Sequence, residues 1–509
     1  MLRKLSIDEI QSVDAAHRQL ITTYVGTNIN LPEIEADFVI LNVYLMSSHL
    51  EWYPFFGAVA VRGEHIVYCG PYSRSADELN PAVPFEFFFQ NEVEEAAVCQ
   101  KPPYVTLVAP IWLDGGGQIL MPGLVNGHCH GDMGLLRGRG DGMTLAEQNE
   151  AFASHNWFQD FMSDEDRLLA RRLTYVEALL SGTTFICENM YWSLGERAVE
   201  VMVETGIQGA LVEDLRPDFR ISDVYHSATW LNQFRELCHN HGLVAVAGCA
   251  AEEDFSPSIV QAEHELAAQA GLWETRHFSE TTWRLSIVAD HYGMTPTHFL
   301  SKYGVLHHRL IASHGVHLTT EDIQLLAERE VKVVNTPLCE MKIQDGAAPI
   351  VEMLAAGISV GLGTDGACWN NSNDIFREMK GVSLLNALRL GPAALTPEQV
   401  LDMATSMGAA VFGEEKSRGT LAPGMRADFI LIDMNQPHFS PLITSGTEQN
   451  VASHLVYCAT GQDVRDVFIG GKQIVEDRKV LTTDLSKLLN QVDAAANKIT
   501  SLSSSSSAK

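Results

Sequence analysis

The chain has little positive charge and no segment typical of membrane insertion or export. Lys and Arg number 35 against 64 Asp and Glu in 509 residues, which gives a formal net charge of −29. A field of that sign repels phosphate backbones, so we expect no nucleic-acid partner. The first residues, MLRKLSIDEIQ, lack the apolar core of a secretory signal. No apolar run reaches the roughly 18 residues of a membrane helix, so no membrane partner is expected.

Paired cysteines are also absent. Nine cysteines are spread along the chain, and none of them forms a CxxC pair. An odd number of distant cysteines is not typical of a disulfide framework. The sequence therefore predicts a reducing compartment, for which the cytoplasm is the simplest choice.

Several short catalytic signatures are missing as well. The chain contains no HExxH, no GxSxG, no Walker loop, and no combination of HxE with PCxxC. Residues 361–366 match GxGxxG after a predicted strand, but a dinucleotide site requires a helix that starts inside the motif. Asp365 would also place a negative charge against the pyrophosphate. A nucleotide-binding function is therefore disfavoured.

The alternation of strands and helices divides the chain into regions. Residues 123–419 alternate short apolar runs with amphipathic helices, which indicates a parallel sheet, open or closed into a barrel. The β-rich flanks, residues 37–122 and 420–478, are predicted to join into one composite β-domain. Residues 1–36 form a polar N-terminal extension. Residues 479–509 are predicted to hold a C-terminal helix and a disordered serine-rich tail.

Two further predictions concern the flanks. Residues 72–110 hold several prolines and an acidic patch, and they predict a long loop or insertion. Residues 454–459, with the sequence HLVYCA, predict a strand.

The first chemical motif is a pair of histidines at the end of a predicted strand. His128 and His130 lie two residues apart, so both side chains point to the same side of an extended strand. Two imidazoles in this arrangement can bind one metal ion. An isolated HxH pair is nevertheless more often two surface histidines near a loop.

Further polar residues follow other predicted strands, where α/β barrels keep their active sites. They are His277 with Glu280 three residues later, His314 after the run RLIAS, and Asp365 after the run GISVGLGT. Alone, each has a simpler explanation: a pair on a helix face, a core histidine and a turn aspartate. Together with the first motif, however, they supply three histidines and a carboxylate, a set that suits a divalent metal ion with one position left for water. Such an ion lowers the pKa of a bound water to roughly 7.

Six segments resemble the amidohydrolase superfamily and occur in its order. They are PGLVNGHCHGDMGLLRG, ETRHFSET, ASHGVHL, VGLGTDGACWNNSNDIFREMK, GTLAPGMRADFILID and LVYCATGQDVRDVFIGGKQIV. The similarity extends from about residue 37 to 478. It is strongest to the ATZ/TRZ branch, which contains S-adenosylhomocysteine and methylthioadenosine deaminases and triazine hydrolases. The resemblance implies an α/β fold, a (β/α)8 TIM barrel with a composite β-sandwich domain from both chain ends.

The resemblance also implies a metal centre and a role for each residue. It implies one divalent metal ion, zinc in first place and iron as the alternative, bound by His128, His130, His277 and Asp365. Glu280 would move protons to the ring nitrogen and the leaving group. His314 would orient the metal-bound hydroxide, and Asp365 would also take a proton from the attacking water.

The pocket motifs depart from those of the adenosine-type members of this branch. The carboxylate that binds the ribose has no counterpart near Trp157, and a histidine-containing segment on strand four is replaced by residues 249–257. Trp369 stands where those members have a small residue. We expect Trp369, Trp157 and Glu340 to bind the substrate, and a nucleoside to be a poor one.

The predicted function is hydrolytic deamination of a nitrogen heterocycle, such as an aminated base, a pterin or a triazine-like ring. The same residues could serve a related hydrolysis that releases chloride, an alkylamine or an amide, because only the shape of the pocket separates the two. A catalytically dead binding protein is the third alternative, which the complete residue set disfavours.

The predicted partners are a small-molecule substrate and a second copy of the chain, in a homodimer or a higher homo-oligomer.

Overall fold

The computed structural model describes most of the chain. It covers residues 2–12, 15, 32–70, 72, 105–155, 161–189, 193–215 and 226–506.

Seven strands precede the barrel. They are β1 (Arg3–Lys4), β2 (Glu33–Glu35), β3 (Phe38–Leu45), β4 (Phe55–Arg62), β5 (His65–Gly70), β6 (Thr106–Val108) and β7 (Ile111–Pro122). β3, β4 and β5 are antiparallel neighbours, and β7 lies parallel to β3. β1 pairs with β7, so the polar N-terminal extension begins as part of this sheet. β6 pairs with β2 and lies inside the predicted loop of residues 72–110, so that prediction is wrong for this stretch. Residues 73–104 lie outside the described part.

The middle of the chain builds a second sheet of parallel strands. They are β8 (Leu124–His130), β9 (Thr183–Asn189), β10 (Gln208–Asp214), β11 (Val244–Gly248), β12 (Trp273–Phe278), β13 (Leu310–His314), β14 (Lys332–Asn335), β15 (Val360–Leu362) and β16 (Asp365–Gly366). Neighbours follow chain order from β8 to β15. β15 pairs with β14, whereas β16 pairs with β8, so these two pieces act as one last strand that closes the sheet. The predicted (β/α)8 barrel is thus confirmed. The sequence does not predict β10 as a strand, because its apolar run, GALV, is short.

Helices connect the barrel strands and flank them. Those with described bounds are α1 (Leu145–His155), α2 (Asp164–Leu180), α3 (Glu196–Thr205), α4 (Ala228–Asn240), α5 (Pro257–Ala270), α6 (Thr282–Tyr292), α7 (Pro296–Lys302), α8 (Thr320–Glu328), α9 (Pro337–Lys342), α10 (Ile350–Ala355), α11 (Ile375–Leu390), α12 (Pro397–Ala404), α13 (Ser406–Ala410), α14 (Val451–Tyr457) and α15 (Leu485–Ser506). α1 begins as its sequence predicts, because Thr144 and Glu147 bond to each other's backbone amides in a capping box. None of the described helices is long and apolar enough to cross a membrane.

Four strands from the far end of the chain complete the first sheet. They are β17 (Phe429–Ile432), β18 (Val464–Ile469), β19 (Lys472–Glu476) and β20 (Lys479–Val480). β17 runs antiparallel to β7, which joins both chain ends in one nine-stranded sheet. The composite β-domain is therefore confirmed. The predicted strand at residues 454–459 is wrong, because this stretch belongs largely to α14. The side chains of Val451, Ala452, Leu455 and Val456 are buried together at helical spacing.

The C-terminal helix reaches further than its sequence predicts. α15 continues to Ser506, so the serine-rich tail is not disordered up to that residue. Leu488, Ala495 and Ile499 are buried along one face of α15, which packs against α2. This burial offsets the low helix preference of the serines that follow. Residues 507–509 lie outside the described part.

Candidate metal centre and active site

The predicted chemical residues lie at the carboxyl ends of barrel strands. His128 and His130 are in the last three residues of β8, and His277 is the next-to-last residue of β12. His314 ends β13 and Asp365 begins β16. Because parallel strands end at the same rim of a barrel, this placement brings residues far apart in the chain to one point.

The ligand atoms of these residues converge. Nε2 of His130 lies 3.2 Å from Nε2 of His277. Oδ1 of Asp365 lies 3.5 Å from Nε2 of both His128 and His130. Ligands at about 2.0–2.1 Å from a tetrahedral zinc ion are separated by about 3.3 Å, so these distances match the geometry of such a centre.

Unsatisfied nitrogen atoms also fit a bound cation. Nε2 of His128 is buried and has no hydrogen-bond partner among the described residues. Nδ1 of the same ring lies 2.9 Å from Nδ2 of Asn189. Rotation of that amide by 180° brings its oxygen against Nδ1, so that the ring proton stays on Nδ1 and Nε2 keeps its lone pair for a metal ion. The donor set is therefore suited to a divalent metal ion.

Burial places these groups in the protonation states that metal binding requires. It lowers the pKa of His128 and His277, and it lowers the pKa of His130 to about 3. Burial alone would raise the pKa of Asp365, but the close approach of His128 and of the other histidines holds that pKa below its ordinary value. At neutral pH, neutral imidazoles therefore face an ionised carboxylate.

His314 differs from the other histidines of the centre. Its Nε2 could join a metal group with His128 and Asp365, since their ligand atoms lie within 4.8 Å of one another. Burial lowers the pKa of His314, but the nearby carboxylates Glu280, Asp365 and Glu340 raise it. Acidic surroundings of this kind favour a proton-handling role for this residue.

Three residues with a strained backbone lie at the same rim. Ser279, His314 and Asp365 have φ angles of 48°, 79° and 60°, in the left-handed region that side chains with a Cβ rarely adopt. Each such residue costs on the order of 1–3 kcal/mol and persists where the surrounding contacts hold it. This strain is consistent with a preorganised site.

Glu280 lies beside the ligands and has a cationic partner that the sequence did not predict. Its Oε2 is 3.8 Å from Nε2 of His314, and it forms a buried ion pair with Arg284 one helical turn later. Nη2 of Arg284 also donates to Glu253 Oε1 at 2.8 Å. Arg284 thereby ties the carboxylate of Glu280 to the turn after β11. The spacing of four residues was the available sequence signal.

A cavity of about 130 Å³ opens beside the ligands. Trp369 is on its wall, with its ring centroid 5.4 Å from that of His130 and the two ring planes at 80°. Most of the remaining charged wall residues are acidic. The described charged residues of the wall, apart from the ligands and Glu280, are Asp214, Glu253, Asp254, Glu263, Arg276 and Arg284.

The other two predicted substrate residues have different outcomes. Glu340 is fully buried and is not among the residues that line this cavity. Both of its oxygens accept from Asn335 Nδ2 at 2.8 Å, so the structure gives no support for a direct substrate contact. Trp157 lies outside the described residues.

One supporting residue was missed because its signal was weak. Sγ of Cys339 donates to Oδ2 of Asp365 at 2.9 Å, on the side of the carboxylate away from the histidines. A lone cysteine carries no pattern that would predict this contact. Cys339 reaches Asp365 because the chain turns from β14 into α9 at this point, and the sequence pattern does not reveal that turn.

Comparisons of the sequence with known proteins agree with the geometry. The model of the amidohydrolase family matches residues 119–474. The chain is 34% identical over 392 residues to a 5'-deoxyadenosine deaminase of Methanosarcina mazei, a match that covers 76% of this chain and 88% of that protein. It is also 34% identical over 393 residues to a 5-methylthioadenosine/S-adenosylhomocysteine deaminase of Moorella thermoacetica, with the same coverage of 76% and 88%.

Solved structures share the fold. An adenosine deaminase from Xanthomonas campestris with bound zinc has a TM-score of 0.79 at 24% identity, covering 92% of this chain and 100% of that one. A triazine hydrolase from Arthrobacter aurescens has a TM-score of 0.72 at 21% identity, covering 90% and 99%. The family model matches most of the chain, and the two deaminases are each about one-third identical to it. The chain therefore belongs to the amidohydrolase family.

Proposed function

We propose that this protein is a metal-dependent hydrolase that removes an amino group from a nitrogen heterocycle and releases it as ammonia. The observation that carries the proposal is the convergence of three histidines and an aspartate beside a buried glutamate at one barrel rim. The deaminases among the relatives support the same type of reaction.

The metal centre would be formed by side chains from three strands. We propose that one divalent ion, zinc in first place and iron as the alternative, is held by His128, His130, His277 and Asp365. The ion would supply an activated water and polarise the ring carbon that carries the amine.

The protein's own groups would move the protons. Asp365 is ionised, so it can accept a proton from the attacking water. Glu280 would carry a proton to the ring nitrogen and then to the departing amine, held in place by Arg284. His314 presents Nε2 toward the same space, where it would orient the water.

The direct test is ammonia release by the metal-loaded protein. The panel would contain adenosine, 5'-deoxyadenosine, methylthioadenosine, S-adenosylhomocysteine, free aminated bases, pterins and aminotriazines. Ammonia from at least one ring, with one equivalent of the hydroxylated ring formed, supports the proposal. Release of chloride or an alkylamine without any ammonia would contradict it.

Within this reaction class, we expect the pocket to prefer compact rings rich in N–H donors. Trp369 narrows the space beside the ligands, and Asp214 and Asp254 make the wall acidic. An acidic wall favours donors and repels anionic substrates. The relatives, in contrast, are named for adenosine-type substrates. A preference of the wild-type protein for those nucleosides would contradict our expectation.

Replacement of Trp369 tests this pocket. We expect Trp369→Ser to lower kcat/KM on the preferred compact ring by about tenfold, because an aromatic contact contributes roughly 0.5–1.5 kcal/mol beyond its buried area. Trp369→Phe keeps an aromatic face and should lose less. Equal kcat/KM values for wild type and Trp369→Ser across the panel would show that the indole does not contact the substrate.

The cellular compartment and the oligomeric state are also proposals. The cysteines with described positions are all free thiols, which supports our proposal of a reducing cytoplasm. A homodimer or higher homo-oligomer stays a prediction from the sequence.

A further inference from the structure

Behind the active site lies the buried carboxylate of Glu340, which faces a histidine. It lies in the first turn of α9, with Oε1 3.8 Å from Nδ1 of His314. Asn335 Nδ2 donates to both of its oxygens, and the backbone N–H of Thr336 donates to Oε1 at 3.1 Å. All of these groups donate, so both oxygens of Glu340 act as acceptors, and the carboxylate faces His314.

Thr336 connects this carboxylate to His314. Its hydroxyl donates to Oε1 of Glu340 at 3.3 Å, and its oxygen lies 2.9 Å from Nδ1 of His314. A hydroxyl has one proton, so an oxygen that donates to the carboxylate must accept from the imidazole. The ring proton is thereby placed on Nδ1. Nε2 is left facing Glu280, buried and without a hydrogen-bond partner among the described residues.

We infer that Thr336 and Glu340 are positioning residues that hold the proton of His314 on Nδ1 and aim its Nε2 at the reacting water. The inference rests on the proposed function, because the direction of Nε2 matters only if a water reacts beside it. A hydrogen-bonded partner on one ring nitrogen fixes both the tautomer and the direction of the other nitrogen. A wrong tautomer would present an N–H where the reaction needs a lone pair.

The buried charge of Glu340 has a second effect. If Nε2 takes a proton during the reaction, the ring becomes a cation within 4 Å of that carboxylate. In a buried site the attraction is screened less than in water, so the cation is stabilised. Glu340 thus acts on the substrate only through His314. This role differs from the direct substrate contact that the sequence led us to expect.

The test separates the hydroxyl from the bulk of Thr336. Thr336→Val keeps the size of the side chain and removes the hydroxyl, whereas Thr336→Ser keeps the hydroxyl. We expect Thr336→Val to lower kcat by about 10–100-fold with KM and metal content unchanged, the range for loss of a partner behind an active-site group. Thr336→Ser should recover kcat to within about threefold of wild type.

A matched control excludes a general effect of losing a buried threonine. Thr297 at the start of α7 is fully buried, and its hydroxyl has no hydrogen-bond partner among the described residues. Thr297→Val should have wild-type kcat and KM. Thermal unfolding of all three variants would identify any that are merely destabilised.

Imidazole nitrogen NMR gives a readout that needs no turnover. In the metal-loaded protein without substrate, the His314 signal, assigned by its loss in His314→Asn, should show the proton on Nδ1 in wild type and in Thr336→Ser. We expect this signal to change in Thr336→Val. If both the signal and kcat of Thr336→Val match wild type, the inference is overturned. If no ring in the panel is deaminated but the signal changes as expected, the proposed function fails and the orienting role of Thr336 stands.

Discussion

Asp365→Ala is expected to abolish turnover and to release the metal ion while the barrel stays folded. The side chain supplies an oxygen that faces two histidine nitrogens at 3.5 Å, and it is the group proposed to take a proton from water. Without an activated water, most of a typical enzymatic acceleration of 10⁶-fold or more is lost, so we expect kcat to fall by at least about 10⁴-fold. His128→Ala should behave in the same way, because it removes a nitrogen ligand.

Metal content and folding decide this prediction. Elemental analysis of the purified wild type should give about one divalent ion per chain, and both variants should give less. Circular dichroism should show an intact fold, since catalytic ligands at strand ends lie outside the packed layers of the barrel. An active protein that carries no metal would refute the mechanism.

A histidine outside the site provides the control. His264 on α5 bonds to Glu274 at 2.7 Å, and with His307 these residues form another cluster that could hold a cation. We expect His264→Ala to keep one metal ion per chain and full activity. Loss of an ion in this variant would show that the strand-end residues are not the sole metal centre.

Glu280→Gln is the second prediction with a large effect. The amide keeps the size of the side chain and cannot carry a proton, so we expect kcat to fall by about 10²–10⁴-fold while the metal ion stays bound. The ion pair with Arg284 is also lost, but Arg284 keeps its contact with Glu253. The measurements are kcat on the best substrate of the panel and metal content.

The control for Glu280→Gln is Glu378, a buried carboxylate that does not line the cavity. Burial raises the pKa of Glu378 to about 8, and its oxygens accept from Asn370 and from the backbone amide of Leu338. Glu378→Gln should therefore have a nearly normal kcat. A nearly normal kcat in Glu280→Gln would instead favour a hydrolysis in which a leaving group such as chloride departs without a proton.

The family and the order of the candidate ligands could be predicted from the sequence. His128 and His130 are two apart, and the other candidate ligands follow apolar runs that form strands. Side-chain direction alternates along a strand, and strand ends meet at one rim in a barrel, so local pattern was sufficient. β10 and α14 show where local pattern failed. A short apolar run such as that of β10 can be a strand or a loop, and β-forming residues such as those of α14 can also form a helix. What these segments pack against decides between the two.

The sequence by itself determined the family of this protein and its candidate chemical residues, and the tertiary structure decided what surrounds them. The residue types proposed to bind metal and to move protons are identified by their positions in short motifs. The partners of those residues come from distant turns: Glu253 reaches Arg284 across 31 residues, and Thr336 reaches His314 across 22. No local pattern encodes such contacts, because they depend on how neighbouring barrel strands end. For the same reason, only the folded structure shows that Glu340 lies behind His314, whereas the sequence led us to expect a substrate contact.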